Sequence, residues 1–462
     1  MIRRLLMVAA LATAVTGTFA LTRGATTLPA AAVIVDRSAD LRQLRNWMTL
    51  EQSFSAEARA EAEELFTQYQ RDAAQYTDPE FYMAVRRLVG LAENGHSNVS
   101  SGPIYRQFGL LPLRTYWFSD GLYVVRARRQ YEALLGTRIT AIEGTPLEEL
   151  ESRLMEFHGG NRGAFRRFAA PPLMLSPALL HAIGLAANPG ELALSLVGSD
   201  GEAFAATVAA ESAPVGAGRD AAWRLLVATP LRGEGDDWLA VRGRDAELPL
   251  YFRDRGQRFR YVRLDGEIAY IQLRANIGRP GDTLKDFTDR VRRQIEGDPP
   301  RAIILDNRQN GGGDLTRSAD FALRLPGLVR DGGTVYVLTD HATFSAGIYT
   351  SFFPKIADPE HTVVVGEQVG DFTRFWAEAP GSVTLPDSGI RIGYATQMHD
   401  IGDGCHDPAI CHMTRFPQWN IAVGRLEPDV PVGTTFADFE AGGDPVLERV
   451  LRAITNPAGD RS

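Results

Sequence analysis

Ala302-Ile-Ile-Leu-Asp-Asn-Arg-Gln-Asn-Gly-Gly-Gly-Asp314 and Val335-Tyr-Val-Leu-Thr-Asp-His-Ala-Thr-Phe-Ser-Ala-Gly347 share one pattern: a short, continuous apolar run that breaks into a polar turn. Such runs, lying between helical stretches, suit strands buried on both faces of a largely parallel sheet. Val363-Val-Val365 is a third run of this kind, and Ile268-Ala-Tyr-Ile-Gln-Leu273 reads as a further strand. Between them Leu284, Phe287, Val291 and Ile295 recur at helical spacing, and Ile348 to Ile356 continues as a helix after the second turn. From Phe252 onward strand and helix alternate, which is an α/β arrangement. In such sheets, sites form beyond the carboxyl ends of the strands. Three polar turns lie there: Asp306 to Asp314, Thr339 to Gly347, and Gly366 to Arg374. Neighbouring strands would make them converge.

Upstream the pattern differs. Residues 33–100 are helical in character, and Ser55 to Gln70 is rich in Ala, Glu and Leu. Asp78-Pro79-Glu80 predicts a helix start with Asp78 as cap. Phe81, Val85, Leu88 and Ala92 follow at helical spacing, and Asn94-Gly95 predicts the helix end with Gly95 as the left-handed cap. His96 follows at once, on a loop. Residues 101–240 suggest a small mixed α+β region: strands at Leu122 to Val125 and Arg138 to Ile142, a helix over Pro146 to Phe157, further strands beyond Leu192, and an irregular Ala/Gly/Arg-rich stretch from Ala213 to Asp237. Residues 241–456 form the α/β core.

The 462 residues are 44% hydrophobic and 23% charged, with a net charge of -8. That is ordinary globular composition, and without a basic stripe it speaks against a nucleic-acid partner. Arg3 and Arg4, the apolar run Leu5 to Leu21 and the small-x-small Thr18-Phe19-Ala20 predict an export signal over residues 1–20. The rival is an uncleaved anchor, for which the run is short. No later segment is apolar enough to span a membrane, so the expected location is periplasmic or extracellular. Cys405 and Cys411 are the only cysteines. In an exported protein they predict a local disulfide, and their spacing disfavours the alternative, a metal site shared with His406 and His412. No metal or organic cofactor is expected.

Ser345 stands where strand gives way to helix. Unpaired N–H groups and the helix dipole there favour a developing oxyanion. A serine at that place is by default an N-cap, as is Thr343. The Gly311-Gly312-Gly313 turn changes its standing, because glycines allow close backbone approach and can present N–H groups to an anion. The turn lacks the Gly-Lys-Ser/Thr ending of a phosphate loop. A serine nucleophile also needs a base. The only lysines, Lys285 and Lys355, are poorly placed, which leaves a histidine. Of the eight histidines, His96 sits on an exposed Gly-His-Ser loop, and His341 shares the turn with Ser345. Thr343 replaces the first glycine of the Gly-x-Ser-x-Gly elbow, so an α/β-hydrolase esterase is disfavoured.

Asp306-Asn-Arg308-Gln-Asn310-Gly-Gly312-Gly313 resembles the Asp-x-Arg-x-Asn-x-Gly-Gly motif of the tail-specific (C-terminal-processing) serine peptidases. Thr343-Phe-Ser345-Ala346 resembles their nucleophile segment. Val365-Gly-Glu367 to Gly370, Leu385 to Gly389, Pro428-Asp429 and Asp444 to Glu448 resemble later segments in order. Leu91 to Ser97 resembles the Asp-Gly-His-Thr segment of the tricorn-like members, and Leu135 to Pro146 their degenerate PDZ-like region. The resemblance implies a crotonase-like βα core and a peptide or unfolded-protein substrate. It implies Ser345 as nucleophile, with Gly312 or Gly313 and the Ala346 N–H as oxyanion donors. One branch of the family uses a lysine beside the Gly-Glu loop. Here Gln368 to Glu378 holds only Arg374, which cannot act as a neutral base. The tricorn-like branch uses a histidine and a glutamate. His96 matches the former. Where the latter is expected the chain reads Asn420-Ile-Ala-Val-Gly424, and Glu378 is the substitute candidate. Two rival readings remain: a non-catalytic peptide or small-ligand binder on this scaffold, and an esterase using the same serine.

Overall fold

The computed structural model describes residues 35–211, 226, 234–243, 246–254, 256–378 and 380–456. The export signal and most of the Ala213 to Asp237 stretch lie outside the described residues.

The α/β core is a six-stranded sheet in the order Val430–Pro431, Thr362–Gly366, Thr334–Thr339, Ala302–Asp306, Ile268–Leu273, Phe259–Leu264. All pairings are parallel except the last, which is antiparallel. All six residues of Ile268–Leu273 are buried, because alternate side chains enter two different cores. Ala269, Ile271 and Leu273 pack with Phe287, Val291 and Ile295 of helix Leu284–Gly297 and with Phe352 and Phe353 of helix Ala346–Ala357. Ile268 and Tyr270 face Val446, Val450 and Ile454 of helix Pro445–Thr455. The continuous apolar runs are therefore strands covered on both faces.

The N-terminal helices Ser38–Leu50, Ala56–Asp72 and Asp78–Gly90 share one apolar core with an antiparallel sheet, whose main strand path is Leu113–Phe118, Gly121–Arg128, Arg138–Ile142, Glu191–Val197, Ala203–Ala209. The hairpin Gly381–Thr384/Arg391–Tyr394 joins that core through Val383 and Ile392. Asp40 accepts the backbone N–H groups of Asp387 and Ser388 at 2.7 and 3.0 Å. The α/β half thus reaches back into the N-terminal helices, and its hairpin bonds to Asn98 and Val99, just after His96. Among the described residues, no helix is long and apolar enough to cross a membrane.

Two boundary expectations need correction. The cap of helix Asp78–Gly90 is Thr77, whose hydroxyl accepts the Glu80 N–H while the Glu80 carboxylate accepts the Thr77 N–H at 2.7 Å. This reciprocal box satisfies two orphan donors at once, which Asp78 could not do from within the first turn. The helix also ends at Gly90, and the left-handed residue is Glu93 rather than Gly95. Gly95 packs closely instead: a Cβ there would stand 3.3 Å from the Phe344 ring and 3.5 Å from Gly160 Cα.

The Asp-x-Arg part of the glycine-turn motif is scaffold. Buried Arg308 bridges Asp306 at 2.6 Å and Asp444, the cap of helix Pro445–Thr455, at 2.7 Å, with its guanidinium 3.9 Å above the Tyr251 ring. The Tyr270 hydroxyl donates to Asp306 at 2.7 Å. Arg308→Met strands two buried carboxylates without their cation. The expected loss is about 3–5 kcal/mol of stability, read from the denaturation midpoint at unchanged slope.

Candidate active site

The three polar turns converge. The Phe344 N–H donates to the Asn310 carbonyl at 2.9 Å, the Thr343 hydroxyl to the Asn307 carbonyl at 2.9 Å, and the Gly370 N–H to the Thr343 carbonyl at 2.9 Å. Parallel neighbouring strands end side by side, so their turns bond laterally.

Ser345 precedes helix Ala346–Ala357 with φ 56° and ψ -128°, a backbone conformation that a non-glycine residue adopts only when its surroundings impose it. Its side chain makes no capping hydrogen bond, so it is not serving as an N-cap. The Ala346 N–H heads the helix and has no intrahelical acceptor. Gly312 lies directly against the Ser345 turn. A Cβ on it would stand 2.7 Å from Ser345 Cβ, 2.8 Å from the Phe344 carbonyl oxygen and 2.9 Å from the Ala346 nitrogen. With φ at 91°, glycine is required here on two counts. Gly312→Ala is expected to cost at least about 100-fold in turnover, because displacing this turn by even ~1 Å misplaces the reacting atoms. Steady-state kinetics and a thermal melt of the variant check this. The Gly312 N–H is donated to Asn310 Oδ1 at 3.0 Å. Gly313, with φ 136°, is the other glycine of the turn and packs against Ile277.

His96 is placed from the opposite side. The buried Asn94 side chain holds its loop, donating to Ser97 Oγ at 2.9 Å and accepting the His96 N–H at 3.4 Å and the Trp376 N–H at 3.3 Å. Ser97 in turn donates to buried Glu51. The His96 ring stacks on Phe344, the residue before Ser345, with centroids 4.4 Å apart, and on Phe375 at 5.4 Å. Its Nδ1 lies 3.3 Å from Oδ2 of Asp371, whose side chain is fully buried. The pair is close but not aligned as a hydrogen bond, and neither ring nitrogen of His96 has a hydrogen-bond partner. Such contacts often tighten only when substrate is bound.

The carboxylate beside His96 is therefore Asp371, in the third of the polar turns. Asn161 fixes it there, donating to the backbone carbonyls of Val369 and Asp371 at 3.0 and 2.9 Å. Glu378, the residue expected from sequence, ends strand Arg374–Glu378, and its nearest partner is His399, with Oε1 and Nε2 3.5 Å apart. That contact holds the Glu378 carboxyl below its usual range, with His412 and His96 adding to the effect. His341 is occupied elsewhere, its Nδ1 2.8 Å from the Gln368 carbonyl. Cys405 and Cys411 form a disulfide, as the spacing predicted. Among the described residues, no cluster of three or more His, Cys, Asp or Glu side chains is placed to hold a metal ion.

Apolar side chains rim the site. Phe168 packs edge-on to Phe344 with centroids 6.0 Å apart, Ile277 touches Gly313, and Phe372 follows Asp371; all three are exposed.

No protein-family model matches the sequence, and no curated protein matches it either. Solved structures do resemble the fold. Mature CPAF complexed with lactacystin matches with a TM-score of 0.55 at 15% identity, covering 90% of this chain and 99% of that one. Mature CPAF gives 0.52 at 14% identity, over 91% and 98%. The photosystem II D1 C-terminal processing protease gives 0.33 at 13% identity over 86% and 93%, too low to carry an argument of its own. The chain has the fold of these CPAF structures.

Proposed function

We propose that the chain is a serine peptidase in which Ser345 attacks a peptide carbonyl, His96 is the general base and Asp371 is the acid that orients and stabilises it. The observation that carries this reading is the strained Ser345 at a helix N-terminus, next to Phe344, on whose ring His96 stacks with its Nδ1 3.3 Å from a fully buried carboxylate. Ser345 Oγ gives its proton to His96 Nε2 as it bonds to the carbonyl carbon. The resulting imidazolium is balanced by Asp371. Negative charge on the former carbonyl oxygen is met by the N–H groups of Ala346 and Gly313, since that of Gly312 is committed to Asn310. His96 then protonates the leaving amine, and water releases the acyl group by the same steps.

The apolar rim of Phe168, Ile277 and Phe372 suits a substrate whose own apolar side chains are accessible, which means an unfolded or extended segment. A purely binding role would leave the strain at Ser345 without a purpose. The test is labelling by a fluorophosphonate. Modification of Ser345, and of no other serine, is the expected result. A folded protein that remains unlabelled would refute the catalytic reading.

A further inference from the structure

His96 is one ring in a longer stack. Phe375 stacks with His96, with centroids 5.4 Å apart and planes at 10°, and also with His399, at 5.1 Å and 11°. His399 is buried and held from three sides. Its Nδ1 shares a hydrogen bond with the Tyr349 hydroxyl at 2.9 Å, its Nε2 lies 3.5 Å from Glu378, and the His412 ring packs at 5.3 Å. The support is covalently closed: His399 lies in strand Gln397–Asp400, where Met398 bridges to Cys411 of the disulfide loop, and His412 follows Cys411 directly. None of this wall has a part in the acyl-transfer steps above.

We propose that Glu378 and His399 are positioning residues for the base, acting through Phe375 to hold the His96 ring in its stack against Phe344 and Phe375. This rests on the peptidase reading for its purpose, but not for its geometry. During acyl transfer His96 becomes a cation, and a cation is favoured over an aromatic face. Phe344 and Phe375 supply two such faces, provided Phe375 is not already shared with a second cation. Burial keeps the His399 imidazole below its usual range, while Glu378 opposes that trend. A neutral His399 thus leaves Phe375 free for His96, and Glu378 adds negative charge one ring further out. The other charged or titratable groups facing this wall are Asp371 at His96, Tyr349 and His412 at His399, Asp400 paired with Arg374, and Arg415 beside His412.

The experiment compares His399→Ala, His399→Phe and Glu378→Gln in the full chain. It reads kcat, KM, the pH profile of kcat/KM, and the His96 imidazole resonance in 13C-histidine NMR, assigned by its loss in His96→Gln. His399→Ala is expected to lower kcat about 10- to 100-fold at nearly unchanged KM and to move the His96 resonance. His399→Phe, which keeps a ring against Phe375, restores most of both. Glu378→Gln retains most of kcat and moves the acid limb of the profile to lower pH, because a negative charge that favoured the protonated base has gone. The proposal fails if His399→Ala moves neither kcat nor the resonance. It fails if the phenylalanine variant, folded by thermal melt, is as impaired as the alanine one, or if Glu378→Gln abolishes turnover outright. A wild-type chain without Ser345-dependent turnover, whose His96 resonance still responds to His399→Ala but not to His399→Phe, would sink the peptidase reading and leave the positioning contact standing.

Discussion

Ser345→Ala is expected to abolish fluorophosphonate labelling and to cut peptide hydrolysis by about 10⁴- to 10⁶-fold. The substitution removes one oxygen. It leaves the Ala346 N–H, the Gly312–Gly313 turn and the His96–Asp371 pair in place, so any residual rate measures what positioning and oxyanion stabilisation achieve without a nucleophile. Folding should be unchanged. At φ 56° and ψ -128° an alanine bears much the same strain as the serine, roughly 1–3 kcal/mol in either case. The Ser345 side chain makes no capping bond whose loss would loosen the helix. A thermal melt matching wild type makes the kinetic loss interpretable. Ester and amide substrates assayed side by side should fall together, since both would pass through the same acyl-enzyme. A variant that keeps full activity removes Ser345 from the reaction.

The sheet was legible because its strands obey a local rule. A strand covered on both faces has no polar register to keep, so Ile268–Leu273 is read to the residue and the other three central strands to within one. Convergence of the three turns followed from parallel order alone. The positions of Ser345 and His96 were legible for a different reason: each sits at an element boundary, which the strand, helix and turn signals around it mark. The helix caps were less so. Asp78 and Thr77 are both good caps, and only the reciprocal bond with Glu80 decides between them. Gly95 looked like a helix terminator, but it lies past the helix end with ordinary φ and packs closely against Phe344. The proposed acid was the least legible residue. Asp371 lies inside the third polar turn, yet nothing local distinguishes it from Glu378 seven residues on. Its place is decided by Asn161, 210 residues earlier in the chain, and by the bond from Gly370 to Thr343. Long-range contacts of that kind leave no trace in spacing.

Asp371→Asn is therefore the most informative change after Ser345 itself, with an expected fall in kcat on the order of 10⁴-fold and little change in KM. An amide of the same shape cannot balance the imidazolium, and it can hold His96 in the wrong tautomer. The loop should survive the change. The bonds from Asn161 go to backbone carbonyls, and the remaining Oδ1 still accepts the Phe372 N–H, 2.9 Å away in wild type. Loss of activity would then be chemical, and an unchanged melting temperature would establish that. The companion variant Glu378→Gln separates the two carboxylates: its partner is His399, which touches the base only through the Phe375 ring that both histidines stack on, so most of its turnover should remain. Reversal of the pair, with Asp371→Asn active and Glu378→Gln inert, would show that His96 turns toward Glu378 when substrate binds and that the buried carboxylate beside it is only structural.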